Sequence, residues 1–85
     1  MKPHRHFIDF SRWQCACWVT DRRYYVAEVK QDIFGAWVLE RTWGSRFSQR
    51  GNRSTLLADN YENALAHLAE VEKRRNARNY MRTGI

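Results

Sequence analysis

The sequence predicts an α+β domain: a curved antiparallel β-sheet of four or more strands covered by one C-terminal amphipathic helix. Three observations carry this. Residues 13–58 are rich in aromatic and β-branched side chains and alternate with a period of two. The pattern then switches to helical spacing, which holds to about residue 77. The chain has 85 residues, enough for one core and no second. A sheet with one apolar face and one amphipathic helix are the natural partners for each other.

The elements follow in order. Residues 1–11 have no clear period, so residues 1–12 are taken as an N-terminal arm and 13–85 as the single domain. Trp13 to Val19 alternates large and small side chains and reads as a strand, and Thr20-Asp21-Arg22 as a turn. Tyr24 to Lys30 is built from β-formers and gives a second strand. Asp32-Ile33-Phe34-Gly35 supplies a turn with a glycine available for positive φ. Ala36 to Trp43 alternates and reads as a third strand, antiparallel to the second. An Arg-rich loop follows, and Ser54 to Ala58 is a short fourth strand. Asp59 or Asn60 can cap the helix, with Glu62 in its first turn. Tyr61, Ala64, Leu65, Leu68 and Ala69 form its apolar stripe, which Arg75 ends with its aliphatic stem. Asn79 suits a left-handed cap, after which Tyr80 folds back on the sheet or the helix end.

A chain of this size buries only about 60–65% of its unfolded surface and needs large core side chains. Four Trp, four Tyr and four Phe supply them. Trp13, Trp18 and Trp37 read as core or sheet-face residues. Cys15 and Cys17 share one face of a strand, a poor geometry for a disulfide, and read as small buried hydrophobes. With His4 and His6 they have the content of a zinc site, but their spacing matches no usual finger, so no metal or cofactor is expected. No signal peptide or membrane-spanning run is visible, which points to a cytoplasmic protein that does not engage a membrane. No nucleophile–base constellation or phosphate-binding glycine loop nominates a reacting centre, so neither an enzyme nor a small-molecule substrate is expected.

The net charge is +6, and Arg dominates the fifteen basic residues. Arginine forks match phosphate geometry better than lysine does. Two acid-free basic blocks, residues 41–53 and 73–85, flank an acidic block. The second block also reads as the ordinary basic end of a helix; the first, as a loop, has no such explanation. Trp43, Arg46, Arg50 and Arg53 in the first block, with Arg75 and Arg78 in the second, are therefore the candidate nucleic-acid contacts. The arginines would neutralise phosphates, and the Trp43 ring would stack on a sugar or base. Trp43 equally suits core packing, since it closes an alternating strand.

The order of signals resembles the WGR domain family. The resemblance covers residues 13–82. It rests on Arg23-Tyr24-Tyr25, Asp32-Ile33-Phe34-Gly35, Trp43-Gly44, Arg50-Gly51-Asn52, Asn63-Ala64 at the helix start, and Arg75 with Arg78-Asn79-Tyr80 at its end. The family includes the WGR module of poly(ADP-ribose) polymerases, which binds DNA at strand breaks with its signature Trp against the terminal sugar. It also includes small free-standing bacterial proteins, and this chain looks like one of those. The resemblance implies DNA rather than RNA as partner, and Trp43 as the stacking residue. The sequence departs from the pattern at Ser45, where the signature has Arg, at Phe47, where a Gly is usual, and at Asn79 in place of the terminal Gly. Ser45 puts in doubt the relay of a signal to neighbouring domains that the signature Arg serves. The alternative expectation is a protein-interaction accessory module without nucleic-acid binding, with the surplus aromatics on its surface.

Overall fold

The computed structural model describes residues 8–83. Five strands, β1 (Gln14–Val19), β2 (Arg23–Gln31), β3 (Trp37–Ser45), β4 (Gly51–Leu57) and β5 (Met81–Thr83), form one antiparallel sheet with the order β4-β3-β2-β1-β5. The helix α1 (Tyr61–Ala77) crosses one face. The fold is the α+β arrangement expected, with a fifth strand that the sequence pattern did not reveal. Among the described residues no helix is long and apolar enough to cross a membrane.

Strand alternation sorts the sheet into two faces. Ala16, Trp18, Tyr25, Ala27, Val29 and Leu39 point to the helix and are buried with Ala64 and Val71 of α1. Tyr61, Leu65 and Leu68 pack against this cluster as expected, whereas Ala69 is exposed and Val71 takes the inward position. One row is aromatic across the three central strands. Trp18 of β1, Tyr25 of β2 and Trp43 of β3 are register partners. Trp18 meets Tyr25 edge-on at 6.1 Å, and Tyr25 stacks on Trp43 at 5.9 Å with an interplanar angle of 15°. Trp18 is fully buried. Trp37 packs on Tyr61 at 4.7 Å, at the other end of the helix.

The turns form for local reasons. Thr20 Oγ1 accepts hydrogen bonds from the backbone of Arg22 and Arg23. Asp32 Oδ1 accepts from the amides of Phe34 and Ala36, and Gly35 takes φ 85°. Asn60 caps α1 by accepting from the Asn63 amide at 2.7 Å. The helix ends in a Schellman turn: the Tyr80 amide donates to the Arg75 carbonyl, and the Asn79 amide to that of Asn76. Asn79 has φ 65°, the left-handed conformation its side chain tolerates. The chain reverses there and lays β5 beside β1.

Three expectations need correcting. The Arg-rich segment is a hairpin, not a long loop: β3 runs on to Ser45, β4 starts at Gly51, and only residues 46–50 connect them. Gly44 and Gly51 are cross-strand partners that make room for a neighbour. A Cβ on Gly51 would lie 2.7 Å from Tyr24 Oη, and one on Gly44 would lie 2.9 Å from the Arg50 carbonyl oxygen. The tyrosine covers the two glycines and so offsets their poor strand propensity. Secondly, Cys15 is exposed and Cys17 half-buried, so neither is a core residue. Burial, with Cys17 and Glu28 beside it, raises the Cys15 thiol above its ordinary range. His4 and His6 lie outside the described residues. Among those described, no group of three or more His, Cys, Asp or Glu could hold a metal ion. Thirdly, the assigned arm overlaps the packed body. The Asp9 amide donates to Gln31 Oε1 at 2.6 Å, and the Phe10 ring packs on Trp13 at 4.7 Å.

Two stability predictions follow from the turns. Gly44→Ala and Gly51→Ala each lower stability by about 1–3 kcal/mol, the usual cost of overpacking. Adding Tyr24→Phe relieves Gly51→Ala, whose clash is with the hydroxyl, but not Gly44→Ala, whose clash is with backbone; urea unfolding of the double variants measures the difference. Asn79→Gly holds or raises the unfolding midpoint, and Asn79→Val lowers stability by about 1–2 kcal/mol.

Candidate functional site

The sequence of β2 places Arg23 two residues before Tyr25, on the helix-facing side of the sheet. The sequence of β3 places Arg41 two residues before Trp43 on that same side. Val71 and the last turns of α1 face the same space. Arg74 and Arg78, one helical turn apart, and Arg75 descend from α1 toward Arg23 and Arg41. These elements enclose a groove of about 790 Å³ lined by Thr20, Tyr25, Trp43, Val71, Tyr80 and the five arginines. No acidic residue lines it. Among the described residues, none of the five guanidiniums has a carboxylate within ion-pair distance.

The groove is a cationic cleft with an aromatic floor. The Arg75 guanidinium lies 4.3 Å from the Tyr25 ring centroid and 4.7 Å from that of Tyr80, in the corner formed by two rings at 80° to each other. Its Nε is buried with no acceptor among the described residues, as is that of Arg41. Arg41 donates through Nη2 to Ser54 Oγ at 2.8 Å. Trp43 is half-buried: it packs on Tyr25 and also lines the groove, so the two roles weighed for it coincide. Such a site can accept phosphate oxygens on its guanidinium forks and a ring on its aromatic wall.

The candidate residues divide. Trp43, Arg75 and Arg78 come together in the groove. Arg46 stands beside it and donates to the Thr20 carbonyl at 2.8 Å, which joins the hairpin to the β1–β2 turn. Arg50 is exposed in the connection at the tip. Arg53 projects from the opposite face, where its Nε lies 3.4 Å from Glu40, itself paired with Lys30. Arg46 and Arg53 thus have structural partners that their sequence context did not disclose. The residues that sequence reasoning left out are Arg23, Arg41 and Arg74. The available signals were strand parity with Tyr25 and Trp43 and the four-residue spacing of Arg74 from Arg78. Tyr80, read as a clamp for the helix end, does clamp it and is also a wall of the groove.

Arg75→Ala removes both ring contacts and lowers stability by about 1–3 kcal/mol, and Arg75→Lys recovers only part of that; thermal unfolding of the pair compares them. The chain that builds this groove matches no family model, no curated protein and no solved structure.

Proposed function

We propose that the chain is a non-catalytic DNA-binding module of the WGR type and that the groove is its contact surface. The observation that carries this is the convergence of five arginines without a carboxylate around Trp43, Tyr25 and Tyr80. Gathering like charges is unfavourable for an isolated protein, and a bound polyanion offsets it. Arg23, Arg74 and Arg78 contact phosphates from the rim, Arg41 and Arg75 set the field beneath, and Trp43 offers the stacking surface. A cytoplasmic setting accords with the two free thiols.

A second reading has its own observation. At the opposite end of the sheet, Phe10, Ile33 and Phe34 are exposed beside a cleft lined by Ile8, Trp13 and Val38. That end suits a protein partner and leaves the groove free.

Titration of a short DNA duplex at several salt concentrations tests the first reading. Neutralising about three phosphates gives a slope of about −2.7 in log K against log salt. Arg23→Ala and Arg78→Ala each weaken binding and reduce the slope by about one, while Arg53→Ala leaves both unchanged. Affinity that ignores salt overturns the nucleic-acid reading. A loss confined to Arg53→Ala moves the contact to the other face.

A further inference from the structure

We infer that Phe47 is an apolar wedge, presented by the β3–β4 connection to unstack a base step of bound duplex DNA. This rests on the DNA-binding reading above and adds a residue which that reading does not use.

Phe47 is 79% exposed. A large apolar ring so placed gains nothing from the fold that carries it. The connection is nevertheless fixed in place. Ser45 Oγ accepts from the Phe47 amide and Ser48 Oγ from the Arg50 amide, both at 3.1 Å. The Arg46 amide donates to the Arg22 carbonyl at 2.8 Å, and the Arg46 guanidinium to that of Thr20. Below it, Gly44 and Gly51 are covered by Tyr24. The ring is therefore held out on an ordered turn, and little ordering entropy remains to be lost on binding.

Charge says what it meets. Arg46 and Arg50 flank the ring, and residues 41–53 contain no acid. Thr20, the anchor of Arg46, also lines the basic groove, so Arg46 ties the turn to the wall of that groove. A DNA backbone held by the groove arginines brings its base stack within reach of the turn. An apolar side chain inserted between bases parts them and exchanges water for ring contact. The step is easiest at a nick or end, where one side of the stack is already free.

The test uses the whole protein and a nicked duplex carrying 2-aminopurine beside the nick, whose fluorescence rises when its base is unstacked. Wild type raises the fluorescence on binding. Phe47→Ala raises Kd by about tenfold or more, keeps the salt slope, and gives no rise, while its thermal midpoint stays at the wild-type value. Phe47→Leu retains part of the rise. A Phe47→Ala protein that binds as tightly as wild type, or still raises the fluorescence, overturns the wedge and leaves the groove reading intact. Salt-independent binding, or none, in wild type overturns both.

Discussion

The contact of Arg75 with the two tyrosines ties the C-terminal end of α1 to the sheet. The guanidinium comes from the last turns of α1, Tyr25 from the central strand, and Tyr80 from the residue just past the helix cap. The Schellman turn brings Tyr80 over Arg75, and a hydrogen bond between the same two residues closes it. Side chain and backbone therefore agree on one geometry. A cation in the corner of two rings loses part of its water, and the ring quadrupoles replace part of that hydration. With Arg75 fixed, Arg74 and Arg78 are aimed from the helix, and the return to β5 has its direction.

Charge is segregated by face. Glu40 sits on the face away from α1, paired with Lys30 and Arg53. Glu72 is engaged by Arg82. Neither of these carboxylates lines the groove, whose charged lining is entirely basic. The C-terminal end of α1, with its partial negative charge, offsets some of the repulsion among the arginines. Stability and attraction for an anion draw on the same arrangement.

Much of the fold was legible because its signals are local. The Asp32 turn, the Asn60 cap and the left-handed Asn79 each depend on one side chain and its own backbone. Strand parity and the helical stripe located much of the core, with Cys15, Cys17 and Ala69 misplaced and Val71 missed. The β3–β4 hairpin was not legible. The residues after Trp43 read as an Arg-rich loop, and the ring that supports Gly44 and Gly51 comes from Tyr24, far earlier in the chain. The short β5 has no pattern of its own, being set by the Schellman turn. The site was half legible for the same reason. Trp43, Arg75 and Arg78 carry the charge and ring chemistry openly, but Arg53 is diverted by Glu40 across the ladder. Arg23 and Arg41 join the groove through strand parity with Tyr25 and Trp43.

The sheet order also bears on the synthesis of the chain. Strands β1 to β4 follow one another in sequence and in space, so each can pair with its predecessor as it emerges. The β1–β5 edge is different: the Thr83 hydroxyl reaches the Cys17 carbonyl across 66 positions. The groove draws its walls from Thr20 through Tyr80. A nascent chain can therefore hold most of its sheet while its basic cleft is still open. The cleft is completed only after Tyr80 has left the ribosome, so its five arginines converge last of all.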